Sequence, residues 1–239
     1  MAFFFLPLVM AATSYADELQ SDVVKTSAGD LKMTFIGHAS LMFTIGEKVM
    51  HIDPVSSEGD YSKLPRADMI LVTHDHYDHL DEKLVKALSS DKTDIVFSQK
   101  CAEKSGLKGI VMKNGDKKTV QGVEIEAVPA YNIVHKRNDG QPFHPKGEGN
   151  GYVLTFGDTR IYVAGDTEDI PEMKDVQDID IAFMPMNLPY TMNPEMAAAA
   201  ARTIHPKILY PYHFGNTDTN QLVKRLKDSD IEVRIRDLQ

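Results

Sequence analysis

Residues 73–79 place three histidines and two aspartates directly after an apolar run. The heptapeptide reads Thr73-His74-Asp75-His76-Tyr77-Asp78-His79. The preceding residues 69–72 are all apolar and predict a buried strand, so the histidines lie where a strand ends and the chain turns. Neutral imidazole and carboxylate are ligands that zinc and similar divalent metals prefer. The composition and spacing therefore predict a metal site rather than a polar loop with incidental histidines.

The spacing within the heptapeptide also predicts how its side chains are directed. In an extended segment alternate residues share a face, so we expect His74, His76 and Asp78 to converge on one point. We expect His79 to face the same cavity once the backbone turns. Several candidate ligands from one loop suit two neighbouring metal ions about 3.5–4 Å apart.

The pattern H-x-H-x-D-H in this heptapeptide resembles that of the metallo-β-lactamase superfamily of metal-dependent hydrolases. The resemblance extends over residues 31–215 and is nearest to the group that includes ascorbate-phosphate lactonase and N-acyl phosphatidylethanolamine phospholipase D. It implies that His74 and His76 bind one metal ion, and that Asp78 and His79 bind the other.

Two residues far along the chain follow predicted strands in the same way. Asp166 stands in a Gly-Asp-Thr sequence after one strand, and His213 follows another. The resemblance implies that Asp166 bridges the two metals, since a carboxylate has two oxygens and can hold two cations. It implies that His213 completes the second site.

The third histidine of the first site is not obvious from the sequence. Asn132, a poor zinc ligand, stands where the family commonly has this histidine, and His135 and His144 follow in the same loop. We favour His144 because Pro142 and Pro145 flank it and restrain its backbone. His135 is expected to face solvent.

Three further residues are candidates for supporting roles. The resemblance implies that His38 lies at the rim of the metal cavity. It also implies that Asp53 supports a ligand histidine from behind and so fixes its tautomer. A strand-ending Asp-Pro turn explains Asp53 equally well. Tyr190, in a loop after a predicted strand, could donate to the substrate from the rim.

Length and composition limit the function further. The chain has 239 residues, of which 42% are hydrophobic, which is enough for one sizeable core. Its net charge of −9 makes nucleic acid a poor partner, and we expect a small-molecule substrate instead. The single cysteine, Cys101, allows no internal disulfide and is expected to be a buried, unreactive thiol.

The first 16 residues differ from the rest. They carry no charge, include a strongly apolar stretch, and end in Ser14-Tyr15-Ala16, which is close to a signal cleavage site. We therefore predict a signal peptide at 1–16 and a single metallo-hydrolase domain at 17–239, exported to the periplasm. The apolar run is too short to span a membrane, so no transmembrane span is expected in the mature protein. A buried N-terminal strand is the alternative.

The order of predicted elements indicates an α/β fold. Short connections join three strands between residues 31 and 54 into an antiparallel meander, and later strands alternate with helices. Asp81 begins one predicted helix, whose N-terminus is acidic. Another has Asn193 as its cap and Pro194 at its first position, followed by an alanine-rich run. The resemblance implies an αββα sandwich of two mixed β-sheets flanked by helices, the metallo-β-lactamase fold.

These features together predict a metal-dependent hydrolase. Two divalent ions, Zn²⁺ as the first choice and Mn²⁺ or Fe²⁺ as others, would activate water for attack on an ester, lactone or phosphodiester-type bond. Asp78 and His38 are the predicted catalytic residues: Asp78 would orient the water or take its proton, and His38 or Tyr190 would donate to the substrate. The alternatives are a non-enzymatic metal-binding or partner-binding protein, and an iron-dependent redox relative on the same fold.

Export predicts a defined mature terminus. When the full chain is expressed in a bacterium with a periplasm, we expect the purified protein to begin at Asp17, by intact mass and N-terminal sequencing. An Ala16→Arg variant should keep its first 16 residues because a small residue is needed at the cleavage position. A parent protein recovered uncleaved from the cytoplasm would contradict the prediction.

Overall fold

Two mixed β-sheets of seven strands each dominate the computed structural model, which describes residues 15–238. Helices cover the outer faces of the sheets, as the αββα sandwich predicts. Most of the predicted signal peptide lies outside the described residues. Its last two residues, Tyr15 and Ala16, begin a short helix that packs against the first sheet's outer layer.

The first sheet is formed by the N-terminal half of the chain. Its strands, in chain order and in spatial order, are β1 (Ser21–Thr26), β2 (Gly29–Gly37), β3 (Ser40–Ile45), β4 (Lys48–Ile52), β5 (Met69–Leu71), β6 (Asp94–Phe97) and β7 (Ile110–Val111). Strands β1 to β4 are antiparallel, and β4 to β7 run parallel.

The second sheet repeats this plan with the C-terminal half. Its strands are β8 (Lys117–Val120), β9 (Val123–Ala130), β10 (Gly149–Phe156), β11 (Thr159–Val163), β12 (Ile181–Pro185), β13 (Ile208–Tyr212) and β14 (Glu232–Val233). Strands β8 to β11 are antiparallel, and β11 to β14 run parallel.

Five helices complete the described chain. They are α1 (Tyr15–Glu18), α2 (Glu82–Leu88), α3 (Gln99–Ser105), α4 (Pro194–Ile204) and α5 (Asn220–Leu226), and two short 3₁₀ segments lie at Tyr61–Lys63 and Pro171–Asp175. None of the helices in residues 15–238 is long and apolar enough to cross a membrane.

The predicted helix starts are confirmed. The Asp81 carboxylate accepts hydrogen bonds from the backbone N–H groups of Lys83 and Leu84, and so caps α2. Asn193 does the same for α4, with Pro194 at the first helical position. Four alanines of α4 are buried, which lets this helix pack closely on the second sheet.

The core between the sheets is aromatic. Phe183 and Tyr210 of the second sheet stack at a ring-centroid distance of 5.0 Å. Phe35 of the first sheet lies 5.2 Å from Tyr210, and Phe43 lies 5.7 Å from Phe183. Each buried aromatic side chain removes a large apolar area from water, so these contacts hold the two sheets face to face.

The first sheet is buried on both faces. Along β5, Met69 and Leu71 face the inter-sheet core, while Ile70 faces an outer cluster that includes Val85 of α2 and Cys101 of α3. Burial on both sides explains why residues 69–72 form a continuous apolar run rather than an alternating one. Cys101 is fully buried, and burial raises the pKa of its thiol to about 12.

Strand β1 was not predicted from the sequence. Its residues are mostly polar, with Val23 exposed, so the segment lacks the apolar alternation of a strand. Two tertiary interactions hold it. It pairs along its whole length with β2, and the Asp22 carboxylate accepts hydrogen bonds from the Tyr210 hydroxyl and from Arg236, the latter at 2.6 Å.

A buried histidine on β4 makes stability depend on pH. The His51 Nε2 atom lies 3.0 Å from the Pro65 carbonyl oxygen, and burial lowers the pKa of His51 to about 4. In the unfolded chain the histidine pKa is about 6.5, so the unfolded state binds more protons below that pH. The stability from neutral His51 is therefore present above pH of about 6.5 and is lost as the pH falls towards about 4.

A His51→Gln variant tests whether His51 causes this pH dependence of stability, because glutamine keeps an N–H donor and does not titrate. Between about pH 7 and about pH 5, we expect the metal-free parent to lose about 2 kcal/mol more unfolding free energy than the variant. Urea unfolding at each pH in the presence of chelator measures the difference. Parallel pH profiles for the two proteins would assign the acid sensitivity elsewhere.

Candidate metal centre

The predicted site residues follow strand ends from both sheets. In the first sheet, β2, β4 and β5 lead directly into His38, Asp53 and the heptapeptide 73–79. In the second sheet, β11 and β13 lead into Asp166 and His213. Strand ends are natural places for a ligand site, since the loops there are free to vary while the sheet holds their bases in place.

Backbone hydrogen bonds join the two sheets at this point. The His213 N–H donates to the His38 carbonyl oxygen at 2.9 Å, and the Asn150 N–H donates to the Thr73 carbonyl oxygen at 2.9 Å. These bonds fix the loops of one sheet against those of the other. The relative positions of the candidate ligands are therefore set by main-chain contacts.

Three histidines form a first group of donor atoms. His74, His76 and His144 each offer one ligand atom, all within 4.8 Å of one another. His76 Nδ1 lies 3.1 Å from His144 Nε2, and the rings of His74 and His144 are perpendicular with centroids 4.9 Å apart. The structure thus brings His144 to the place for which we favoured it.

A second group lies beside the first. It consists of His38, Asp78, His79 and His213, whose ligand atoms also lie within 4.8 Å of one another. The Asp78 Oδ2 atom is 3.5 Å from His38 Nε2 and 3.6 Å from His213 Nε2. His38 is therefore within this group and not only at the rim of the metal cavity. The centroid of its ring lies 3.9 Å from that of the His213 ring.

The Asp166 carboxylate lies between the two groups. Its Oδ2 atom is 3.2 Å from His144 Nε2 and 3.2 Å from His213 Nε2. Its Oδ1 atom is 3.4 Å from His79 Nε2, and Oδ2 is 3.9 Å from His74 Nε2. One buried carboxylate thus contacts histidines from both groups, which is the arrangement expected of a bridging ligand.

The heptapeptide does not adopt the extended conformation that we expected. The chain bends at residues 75–76 and turns through 77–79, and the backbone N–H groups of His79 and Leu80 donate to the His76 carbonyl oxygen at 3.1 and 2.8 Å. The prediction that His74, His76 and Asp78 converge on one point is wrong. The turn directs Asp78 and His79 into the second group and leaves His74 and His76 in the first.

Asp53 holds His79 from behind. Its Oδ2 atom lies 2.7 Å from His79 Nδ1 and accepts a hydrogen bond from the Thr73 hydroxyl at 2.6 Å. Because Thr73 donates to Asp53, its oxygen is free to accept from His74 Nδ1, which is 3.1 Å away. Both histidines then carry their hydrogen on Nδ1 and direct the Nε2 lone pair towards Asp166.

Asn132 and Glu168 fix the tautomer and orientation of His144 in the same way. Asn132 Oδ1 lies 2.6 Å from His144 Nδ1 and also accepts the His144 backbone N–H at 2.9 Å. The Asn132 amide group donates to Glu168 Oε1 at 3.1 Å and to the Tyr190 carbonyl oxygen at 2.9 Å. These two donations leave the amide oxygen as the acceptor, so His144 carries its hydrogen on Nδ1.

Glu168 was missed in the sequence, although it lies only two residues after Asp166. Its buried carboxylate also accepts the backbone N–H groups of residues 133–135 and lies 2.6 Å from His135 Nδ1. Burial alone would raise the pKa of Glu168, but these hydrogen bonds lower it. The expectation that His135 faces solvent is wrong, because the ring is half-buried against Glu168 and outside both donor groups.

Three site residues have strained backbones. His38, Asp53 and His213 have φ angles of 51°, 44° and 46°, in the left-handed region that side-chain-bearing residues seldom adopt. Each such residue costs on the order of 1–3 kcal/mol, and such strain concentrates at functional sites. All three lie at the candidate metal centre, although Gln121, Asp178 and His205 adopt similar φ angles elsewhere.

The electrostatics of the cluster favour a bound cation. Burial lowers the pKa of His74 well below its usual value and, with His144 nearby, lowers that of His76 to about 4. Burial acts against ionisation of Asp166 and Asp78, but the adjacent histidines hold both carboxyl pKa values below their usual range. His74 and His76 are therefore neutral, and Asp78 and Asp166 are ionised, at neutral pH, as metal ligation requires.

His79 shows where positive charge is attracted. Burial opposes its protonation, but the carboxylates of Asp166 and Asp53 raise its pKa to about 9. A positive charge at this point, whether a proton or a metal ion, is stabilised by two buried anions.

The donor set fits divalent metal ions. Several side-chain atoms of the two groups and of Asp166 are buried and have no hydrogen-bond partner among residues 15–238: His38 Nε2, His74 Nε2, His79 Nε2, Asp166 Oδ1 and both ring nitrogens of His213. Unpaired buried polar atoms are costly, and lone pairs that face each other repel. Imidazole nitrogens with two carboxylates are a ligand set that zinc, manganese and iron accept.

Family comparison agrees with this chemistry. The model of the Beta-lactamase superfamily domain matches residues 32–213. A UPF0173 metal-dependent hydrolase of Koribacter versatilis is 32% identical over 201 residues, covering 77% of this chain and 84% of the relative.

Solved structures show the same architecture. A metal-dependent hydrolase from Parabacteroides distasonis is 52% identical, covers 92% of this chain and 100% of its own, and superposes with a TM-score of 0.88. Igni18, a metallo hydrolase from Ignicoccus hospitalis, is 22% identical, covers 87% of this chain and 96% of its own, and has a TM-score of 0.72, which shows a shared fold. The predicted fold class is confirmed.

The contact between Asn132 and His144 can be tested by metal binding. Asn132→Leu keeps the side-chain size but removes the acceptor for His144 Nδ1, so the imidazole loses its fixed orientation. We expect a loss of roughly 10–100-fold in metal affinity, the range typical of residues that orient a ligand histidine. Competition with a chromophoric chelator measures the affinity. Asn138→Leu, an exposed position in the same loop, is the matched control, and equal affinities in both variants would contradict the role.

Proposed function

Since the chain belongs to the beta-lactamase superfamily and is a metal-dependent hydrolase, we propose that it uses two divalent ions, zinc first among them, to cleave an ester, lactone or phosphodiester-type bond of a small molecule. The observation that carries the proposal is the position of Asp166. Its two oxygens lie within 3.2–3.9 Å of histidines from both donor groups. A carboxylate so placed can serve two cations at once, which suits a dinuclear centre.

The proposed ligands divide between the two groups. His74, His76 and His144 would hold one ion, Asp78, His79 and His213 would hold the other, and Asp166 would contact both. Divalent ions held there would supply Lewis-acid activation of water and of the polarised oxygen of the substrate. The remaining steps belong to the side chains of the cleft above these ligands.

Asp78 is the proposed acceptor of the proton from the attacking water. It is only partly buried, lines the cleft, and is ionised at neutral pH because the nearby imidazoles of His213 and His38 lower its pKa against the effect of burial. An ionised carboxylate facing the cleft can orient a water molecule and receive its proton.

His38 and Tyr190 are the proposed donors to the substrate. Both line the cleft, and Tyr190 is 45% exposed, so its hydroxyl is accessible to a bound molecule. His38 has its Nε2 atom 3.5 Å from Asp78, which places a proton donor beside the proposed acceptor. A group that donates to the departing oxygen promotes cleavage of the bond. Since His38 also lies within the second donor group, it is a further candidate ligand.

Metal content tests the dinuclear centre. We expect elemental analysis of the purified parent to give about two equivalents of metal, and a His144→Ala variant to give clearly less, because the first group loses one of its three imidazoles. His205→Ala, which removes an exposed histidine whose Nε2 atom lies 2.9 Å from Asp230 Oδ1, should leave the content unchanged. One equivalent in the parent that His144→Ala does not reduce would exclude a dinuclear site with His144 in it. The same analysis identifies the metal.

Activity tests the reaction. Screening of esters, lactones and phosphodiesters should find a substrate that the parent hydrolyses, and chelation should abolish turnover until the metal is restored. We expect His213→Ala to reduce kcat/KM by more than the roughly 10–100-fold typical of a supporting residue. Turnover that survives both chelation and this substitution would refute a metal-dependent mechanism at this centre.

A further inference from the structure

The cleft above the candidate metal centre has a charged side and an apolar wall. It has a volume of about 510 Å³, and its floor includes Asp78 and Asp166. Phe143 and Tyr190 form part of the wall, with ring centroids 5.1 Å apart and planes nearly perpendicular. Arg137 also lines the cleft, which introduces a cation into a chain of net charge −9.

Arg137 is held without a carboxylate partner among residues 15–238. Its Nη2 atom donates to the Phe143 carbonyl oxygen at 3.2 Å and lies 3.3 Å from His76 Nε2. The guanidinium group also lies over the Phe143 ring, 5.3 Å from the ring centroid. A guanidinium carries five N–H donors, so these contacts leave most of them free for a ligand.

The loop that carries Arg137 is fixed at several points. Glu168 binds the backbone N–H groups of residues 133–135 at its start. Lys136 and Pro142 form an isolated β-bridge, and the Arg137 backbone N–H donates to the Gln141 carbonyl oxygen at 2.7 Å. The base of the Arg137 side chain is therefore placed by the same structure that positions His144. A pre-organised cation binds a ligand with less loss of freedom than a mobile one.

The neighbouring His76 ring adds a second donor. His76 Nδ1 faces His144 Nε2 at 3.1 Å, so in the proposed centre His76 would offer Nδ1 as its ligand atom. The hydrogen of the neutral ring would then be on Nε2, which lies 3.3 Å from Arg137 Nη2. Two N–H donors this close need a shared acceptor, and an oxyanion meets that need.

The other charges of the cleft leave Arg137 as the group for an anion. Lys104 is engaged by Asp75, with its Nζ atom 3.3 Å from the carboxylate and donating to the Asp75 carbonyl oxygen. Glu58 lies on the His38 side of the cleft, against Gly37, which precedes His38 in the chain. A negative group on the substrate is therefore repelled from one side of the cleft and attracted to the other.

We propose that Arg137, together with His76 Nε2–H, binds an oxyanion of the substrate, a carboxylate or a phosphate, while the bond to be cleaved lies over the candidate metal centre. This inference rests on the proposed hydrolase function and narrows its substrates to small anionic molecules. The ring of Phe143 or Tyr190 contacts an apolar part of the same molecule. The arrangement orients the substrate, because its anionic end can face only the Arg137 side.

Equilibrium binding tests the anion site without requiring turnover. We would titrate the metal-loaded parent, Arg137→Met and Lys136→Met with phenylacetate and with benzylphosphonate by calorimetry. Lys136→Met is the matched control, since it removes the same charge from the adjacent exposed residue, which does not line the cleft. We expect Arg137→Met to weaken binding by about 10-fold or more, as for a hydrogen bond to a charged group, and Lys136→Met to change it less than about twofold.

The two ligands identify the source of the oxyanion. Tighter binding of phenylacetate that depends on Arg137 assigns a carboxylate, and tighter binding of benzylphosphonate that depends on Arg137 assigns a phosphate. If the two substitutions weaken binding equally, Arg137 contributes only its net positive charge and no specific contact, and the proposal is overturned. Failure of the parent to bind either ligand would also overturn it. Unchanged melting temperatures of both variants show that folding is not the cause.

Turnover separates this proposal from the one on which it rests. We would compare kcat/KM for 4-nitrophenyl hemisuccinate and 4-nitrophenyl acetate, which share a leaving group and differ in charge. We expect the ratio of charged to neutral ester to fall in Arg137→Met and to stay unchanged in Lys136→Met. If anion binding depends on Arg137 but the protein hydrolyses neither ester, the proposed anion site stands and the proposed hydrolytic reaction is refuted. If the protein hydrolyses the esters but neither binding nor turnover depends on Arg137, the proposed reaction stands and the anion site is refuted.

Discussion

The buried Asp166 carboxylate is the interaction on which the rest of the site depends. It lies within 3.9 Å of four imidazole nitrogens, two from each donor group. An isolated buried carboxylate is very unfavourable, so this anion requires positive charge nearby. The fold places imidazoles around the carboxylate by bringing six loops at strand ends to one point. Three follow strands of the first sheet and three follow strands of the second, so neither sheet alone can form the site.

Hydrogen bonds behind three of the candidate ligand histidines decide which ring nitrogen each presents. Asp53 holds His79, Thr73 connects Asp53 to His74, and Asn132 holds His144. In every case the bond occupies Nδ1 and leaves Nε2 directed inwards, which removes the freedom to choose a tautomer. His76 is the exception, because its Nδ1 faces the group and its Nε2 faces the cleft. This difference joins the metal centre to the side of the cleft where Arg137 lies.

The 132–144 loop combines three tasks that are separate in the sequence. Asn132 orients His144, His144 belongs to the first donor group, and Arg137 lines the cleft between them. Glu168 fixes the start of this loop with several hydrogen bonds to one buried carboxylate. One buried carboxylate therefore anchors the loop that carries both His144 and Arg137.

Local sequence determined a large part of this result. The apolar residues 69–72, the heptapeptide that follows them and the caps Asp81 and Asn193 each state their structure through residue type and spacing, since burial and capping act over a few residues. The family pattern supplied Asp166 and His213 as candidates, and the prolines around His144 favoured it over His135. Asp166, His213 and His144 lie where the tertiary structure brings the donor groups together, and His135 does not.

Only the tertiary structure decided the rest. The turn at 77–79 divides the heptapeptide between two groups, and β1 forms because β2, Tyr210 and Arg236 hold it rather than through its own pattern. The roles of Glu168, Asn132 and Arg137 depend on partners between 6 and 61 residues away. Residue type shows what a side chain can bind, but which partner it meets is set by packing and by backbone hydrogen bonds between distant segments. Such contacts leave no periodicity in the chain, and for this reason they are known only once the two sheets have closed on each other.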